Sequence, residues 1–356
     1  MEDPIIDLVG QRGKMAVAYL AANSNPDGSF NYCVDAGTGA IAKDYNILRH
    51  AGTLLELCEW TQLTGDHSLV EKISKGISYL LRHLQPLGTI SCIVERDQAK
   101  LGGSALALLA LCSYYRLTGD DAFQDPMKRL AGFIVRMQAE NGDFQGRLRY
   151  SERRILPGSS RLYAGEALLA LVEYHSLFGG REHLLAARRS ICFEMVASRN
   201  TQSTHAWLAR GLMTHYSRNP EEEILLMIHK IGINAIKILY GDCTQFTRGI
   251  VREEVTTTAK AVSIGEALIP FLEISLLFEE AGQLTMATKA LQKVLDICFG
   301  NQIVEDRFIN GLNLFGGLIN SKSDHRCRID FVQHFLHLAT NMIRLSAPIN
   351  WAISSD

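Results

Sequence analysis

No apolar run in this chain approaches the roughly 18 residues that a membrane-spanning helix needs. Neither sign of charge dominates: 36 lysines and arginines face 38 aspartates and glutamates, so nothing electrostatic points to nucleic acid or to an anionic membrane. None of the eight cysteines falls in CxxC spacing. Several sit inside apolar runs such as LELCEW and LALLALCSYY and read as buried free thiols in a reducing, cytoplasmic compartment. The opening MEDPIIDLVGQRG is acidic and has no sustained apolar stretch, so no secretory leader is expected. Also missing are GxGxxG after a strand, GxxxxGKS/T, GxSxG and a DxDD acidic run. Dinucleotide, P-loop, nucleophile-elbow and acid-initiated terpene chemistries are thereby set aside.

What is present is a repeat. RHAGTLLELCEWTQLTGD (49–66), KLGGSALALLALCSYYRLTGD (100–120) and LYAGEALLALVEYHSLFGG (162–180) share one plan, with Gly52, Gly103 and Gly165 at matching points, 51 and 62 residues apart. Repeats of this period are supersecondary units that bury their apolar faces only by stacking, so residues 1–356 are expected to form one domain. The 47% hydrophobic content is ample for its core. In GGSALALLALCSYYRL nearly every position is apolar or small, the mark of a helix buried all round. In AFQDPMKRLAGFIVRMQ a single stripe runs through Met127, Leu130, Phe133, Ile134 and Met137, the mark of an outer helix.

Sorting the chain on that contrast gives inner helices near 46–63, 101–117, 162–177, 203–217, 260–278 and 328–345. Outer helices fall near 4–22, 67–84, 122–138, 181–196, 220–239 and 283–299. Six of each in strict alternation, an outer one leading each pair, predicts an all-α (α/α)6 barrel, also called an α/α toroid. The inner-to-outer turns LTGD, LTGD and LFGG are short: Gly takes the left-handed position and Asp caps the next helix. The opposite turns (23–45, 85–100, 139–161, 240–259 and 300–327) are long and feed the inner helices, so six positive helix ends should meet at one mouth. In the rim loops NPDGSF and ENGDF, Gly permits a tight turn and Phe30 and Phe144 either fold back onto the helices or stack a ligand. Arg147, Arg149, Arg153, Arg154 and Arg161 crowd one rim loop, which reads either as a solvated loop or as an anion-binding wall.

Polar residues at the inner helix starts are the candidate site. The first start, DYNILRHAGT, offers Asp44, Tyr45, Asn46, Arg49 and His50; Arg49 and His50 interrupt an otherwise apolar helix, and a buried Arg needs a wet cavity or a partner. The third offers Tyr163 and Glu166 beside Arg161, with Glu166 open between a site role and a capping carboxylate; Glu266, in the matching SIGEALIPFL, leans toward the cap. The fourth places His205 and Trp207 in THAWLARGL, where an indole can stack a pyranose. The last, HRCRIDFVQHFLHLATNMI, spaces Asp330, Gln333, His334 and His337 along one helical face. His334 and His337 raise the question of a metal, but no HExxH or Cys-carboxylate set completes it, so neither metal nor cofactor is expected.

With its repeats and inner-helix polar starts, the chain resembles the (α/α)6-barrel superfamily of carbohydrate-active proteins, most of all the N-acylglucosamine 2-epimerase-like sugar epimerases and isomerases. In that group histidines on inner helices of the second half, and an Arg on an early one, serve the reaction. The resemblance carries these roles to His205, His334 and Arg49. It implies proton abstraction beside a carbonyl by two imidazoles, with Arg49 stabilising the enediolate-like charge and Glu166 tuning a His or gripping a hydroxyl. A glycoside hydrolase or lyase would instead pair Asp44 or Asp330 with Glu166, at about 5–5.5 Å for retention or 6.5–9.5 Å for inversion. A non-catalytic or peptide-modifying toroid is the third reading. The expected partner is a small-molecule or oligosaccharide substrate, with homodimerisation left open.

Overall fold

A computed structural model describes residues 4–197 and 204–346. Six inner helices form a closed ring: α2 (Ile47–Thr64), α4 (Leu101–Thr118), α6 (Arg161–Phe178), α8 (Ala206–Tyr216), α11 (Thr258–Leu277) and α13 (Ile329–Leu345). Each packs on the next, and α13 packs back on α2. The outer ring is α1 (Pro4–Ala22), α3 (Val70–Leu81), α5 (Gln124–Arg136), α7 (Arg181–Ala197), α9 (Glu222–Tyr240) and α12 (Ala281–Asn301); α10 (Cys243–Thr247) is one turn in a rim loop. The fold is the all-α toroid that the alternation predicts. Its packing pairs differ from chain order, because the short turn fixes each outer helix on the inner helix before it. Thus α3 lies on α2 and α5 on α4, while α1 lies on α13, closing the circle from the far end of the chain.

The two patterns of apolar residues sort as expected. From Leu101 to Tyr114 every residue of α4 is buried, whereas α5 buries Met127, Leu130, Ala131, Phe133 and Ile134. Gly65 and Gly119 end α2 and α4 in the left-handed conformation, at φ 68° and 70°, and Asp66 and Asp120 accept from the backbone N–H groups of Ser68 and Ala122. Among the described residues no helix is long and apolar enough to cross a membrane.

The rim loops hold more order than the sequence suggests. Five short strands, β2 (Leu84–Leu87), β3 (Ile90–Glu95), β4 (Gln98–Lys100), β5 (Gln145–Arg149) and β6 (Arg154–Ser159), form one antiparallel sheet in chain order. A short ribbon pairs β7 (Phe308–Ile309) with β8 (Leu312–Asn313), and a further sheet pairs β1 (Cys33–Asp35) with β10 (Asp324–Arg328) and β10 with β9 (Ile319–Ser321), bringing two distant rim loops together. Phe30 and Phe144 are buried, so both fold back and neither is free to stack a ligand. The glycines of the same loops explain the motif: a Cβ at Gly28 or Gly142 would collide with the backbone carbonyl of Lys75 in α3 or Arg189 in α7. Each loop therefore docks its backbone on a neighbouring outer helix.

Tyr45 and His50 belong to this scaffold and not to the site. The Phe30 N–H donates to the Tyr45 hydroxyl (3.0 Å), that hydroxyl meets His50 Nδ1 at 2.7 Å, and His50 Nε2 donates to the Gly76 carbonyl at 2.9 Å. The chain of donors fixes a neutral imidazole with its proton on Nε2. Burial pulls the pKa of His50 down to about 4. A histidine lowered in the folded state takes its proton more readily when unfolded, so stability is intact above about pH 6.5 and falls as the pH drops toward 4. His183 and His215, also lowered by burial, act in the same direction. His50 alone is expected to remove about 2 kcal/mol between pH 7 and pH 5. Urea unfolding at both pH values reads this loss, and His50→Gln should flatten the slope; an unchanged slope contradicts the assignment.

Candidate active site

A cavity of about 360 Å3 opens where the N-termini of the inner helices converge. All six contribute to its wall: Leu48 and Arg49 of α2, Leu106 of α4, Tyr163 and Glu166 of α6, Trp207 of α8, Ser263 and Glu266 of α11, and Asp330, Gln333 and His334 of α13. Asn46, Lys100 and Arg328, at the entries to α2, α4 and α13, complete the mouth. A larger, shallower groove of about 530 Å3 lies between α12 and the β9–β10 turn, with Asp296 and Lys322 as the charged residues among its described lining. Titratable groups converge in the central cavity, not there.

Two arrangements dominate the wall. Asp330 is buried between two guanidiniums, Arg49 and Arg328, with Arg328 Nε 2.9 Å from Oδ1. Burial alone would raise the Asp330 pKa, but the Arg328 hydrogen bonds and the Arg49 charge outweigh it and hold the carboxyl below its ordinary value. Asp330 is thereby a fixed anion that aims two cations. Beside it, His334 Nδ1 lies 2.7 Å from Glu266 Oε1, with the Trp207 ring edge-on at 6.3 Å between centroids. Burial lowers the His334 pKa, yet the Glu266 charge and hydrogen bond overcome that and the net shift is upward. With Nδ1 committed to Glu266, the other ring nitrogen is the one left for chemistry.

Glu166 faces this group from across the ring, since α6 and α13 are three places apart in a circle of six. It is buried, and Oε2 has no hydrogen-bond partner among the described residues. Burial lifts its pKa to about 8, only partly offset by the charges of His334 and Arg49. At neutral pH it is therefore a carboxylic acid, able to donate. Gly102 makes room for it, because a Cβ there would collide with Oε2 and with the Tyr163 ring. It is this glycine that α6 approaches closely; its neighbour Gly103 is in open contact.

Of the residues expected to form the site, Arg49, Asn46, Tyr163, Glu166, Trp207, Asp330, Gln333 and His334 line the cavity. Asn46 also caps α2, its Oδ1 accepting from Leu48 and Arg49 N–H groups. Asp44 stands outside, exposed and 3.2 Å from Arg96. His205 is buried at the N-cap of α8 in the left-handed region (φ 51°) and is not among the described lining residues. Arg161 opens α6, and its side chain lies outside the described residues. Two charged lining residues, Arg328 and Lys100, were not anticipated, and Glu266, which leaned toward a cap, lines the cavity as well. The SIGEALIPFL setting suggested a helix-start carboxylate, but α11 starts at Thr258 and Glu266 stands two turns in, beyond the reach of a cap. Arg328 and Lys100 were visible as cations at helix N-termini, where the dipole disfavours them.

Below the cavity a second polar group closes the ring. Arg210 Nη1 lies 2.9 Å from Glu56 and Nη2 2.5 Å from Glu59; Arg344 reaches Glu59 at 3.3 Å and His337 reaches Glu56 at 3.2 Å. Glu56, Glu59 and His337 have the mutual spacing of a metal cluster, but the Arg210 guanidinium already occupies both carboxylates. His337 and His334 do not converge: one serves Glu56, the other Glu266.

No protein-family model matches the sequence, and no curated protein matches it. Solved structures do match over nearly the whole chain. A cellobiose 2-epimerase from Bacillus thermoamylovorans B4167 superposes with a TM-score of 0.75 at 12% identity, covering 96% of this chain and 99% of that one. A D-mannose isomerase gives 0.68 at 13% identity, with 95% and 97% covered. An α-1,6-mannanase from Salegentibacter sp. gives 0.68 at 12% identity, with 94% and 98% covered. Likeness at such identities establishes architecture, and the architecture is the (α/α)6 toroid.

Proposed function

We propose that this protein is a carbohydrate-active enzyme, a sugar epimerase or isomerase that moves a proton at the carbon beside the carbonyl. The observation that carries the reading is the pairing, across one cavity, of an imidazole anchored by Glu266 with a carboxylic acid, Glu166, that burial keeps protonated. Neutral His334 takes the proton from C2 and becomes imidazolium. Glu166 delivers its own proton to the other face, or to the neighbouring carbon, and becomes carboxylate. The reverse reaction starts from imidazolium and carboxylate, so the pair carries a constant number of protons. Arg49, held by Asp330, sits where it can offset the negative charge that grows on the oxygens of an enediolate. In this reading Glu166 takes the acid–base role that the family resemblance carries to His205.

Similarity to the cellobiose 2-epimerase and the D-mannose isomerase supports this reading. The mannanase likeness supports hydrolysis less well. A structure of that enzyme is of an inactive variant altered at two consecutive aspartates. The only consecutive aspartates here, Asp120 and Asp121, are in the turn between α4 and α5, on the rim opposite the cavity. Nor do the carboxylates pair suitably: Asp44 is outside, Asp330 is committed to two arginines, and Glu266 to His334.

Incubation with D-mannose, D-glucose and cellobiose in deuterium oxide, followed by NMR, should show deuterium at C2. Release of reducing ends from an oligosaccharide with no exchange would refute the proposal. A pH dependence follows as well. Because Glu166 must hold its proton, kcat/KM is expected to fall as the pH rises through about 8. A rate that stays level from pH 7 to pH 9.5 would remove Glu166 from the mechanism.

A further inference from the structure

The arginine-rich rim loop finds no use in the mechanism above, yet it lies against the cavity. Strands β4 and β5 run antiparallel with Lys100 directly opposite Arg147. Residues so placed point to the same face with Cβ atoms about 5 Å apart, and like charges there repel. Lys100 lines the cavity, and its nearest carboxylate, Glu95, is 3.9 Å away, at the outer limit of an ion pair. Arg147 is exposed and has no ion pair or hydrogen bond among the described residues, although its charge acts on Tyr163 on the cavity wall. The neighbouring arginines differ: Arg149 and Arg154 both engage Glu152, at 2.8 Å. Farther in, one carboxylate, Asp330, serves both Arg49 and Arg328. Lys100 and Arg328 moreover stand at helix N-termini that have no side-chain cap, adding their charge to the positive ends of the dipoles. A cavity for neutral sugars has no need of this surplus of cations, and an anion bound between Lys100 and Arg147 would relieve a repulsion that Glu95, 3.9 Å from Lys100, offsets only in part.

We propose that the substrate is an anionic sugar whose carboxylate or phosphate is held at the mouth between Lys100 and Arg147, while its carbonyl end reaches His334 and Glu166. This rests on the cavity being a sugar proton-transfer site, and the test separates the two. Deuterium exchange at C2 is measured with D-mannose, D-mannuronate and D-mannose 6-phosphate, and binding of the same three is measured by calorimetry. The charged sugars are expected to show kcat/KM at least about tenfold above D-mannose, the scale of one charge-assisted contact. Whichever of the two leads identifies the anion as carboxylate or phosphate. Arg147→Gln should reduce that preference about tenfold, through KM rather than kcat, and rising salt should do the same. Equal kcat/KM for all three sugars, or a preference untouched by Arg147→Gln, overturns the anionic substrate and leaves the epimerase reading standing. Selective binding of the charged sugars without exchange supports the anion site and sinks the epimerase reading.

Discussion

His334→Ala is expected to slow deuterium entry at C2 by about 100- to 10,000-fold, the range for losing a positioned acid–base group. Among the described lining residues, alanine removes the only imidazole, the one tied to Glu266; His337 is bonded to Glu56 and His50 to the scaffold. Sugar binding should survive, because Arg49, Trp207 and Gln333 remain in the wall. The loss therefore belongs in kcat, with calorimetric affinity nearly unchanged. Glu266→Gln offers a graded comparison: it keeps the shape but removes the charge that raises the imidazole pKa, so the acidic limb of the pH profile should move to lower pH. Full exchange activity in His334→Ala would end the proton-transfer reading.

The largest effect on stability is expected from Arg210→Met. Burial pushes the Glu56 carboxyl upward, and the charges of His337 and Arg210 reverse that and hold it low. Without Arg210, Glu56 is an anion sealed in the ring with only His337 for company, and Glu59 keeps only Arg344. Breaking one partner of a buried ion pair costs ~3–5 kcal/mol. Urea unfolding should register that loss, and Arg210→Met combined with Glu56→Gln should recover a good part of it, as expected of coupled neighbours. A single variant as stable as the parent would show that the group is hydrated and not sealed.

The ring was legible because burial periodicity is a local property: α4 is apolar all round and α5 on one stripe, whatever their neighbours do. The LTGD turns were legible for the same reason, as Gly65 and Asp66 act within their own turn. The site was only partly so. Helix phase places Arg49, Glu166, Trp207, Asp330 and His334 near the mouth, but it does not say which way a residue at a helix entrance faces. The helix expected from 203 starts at Ala206 and leaves His205 at its N-cap, and the Phe30–Tyr45–His50 chain of hydrogen bonds draws His50 outward. The same limitation left Glu266 leaning toward a cap, since its meaning depends on α13 lying beside α11. Strand register was out of reach too, and with it the meeting of Lys100 and Arg147.

The seam of the ring lies between α2 and α13, and Arg49 meets Asp330 across it. Arg49 is made 281 residues before Asp330, so until α13 exists the ring has no closing helix and its polar interior stays open to water on that side. Binding competence is therefore latched by the final closure. A chain cut short of Asp330 would keep most of its helices and yet have no vessel in which to hold a guest.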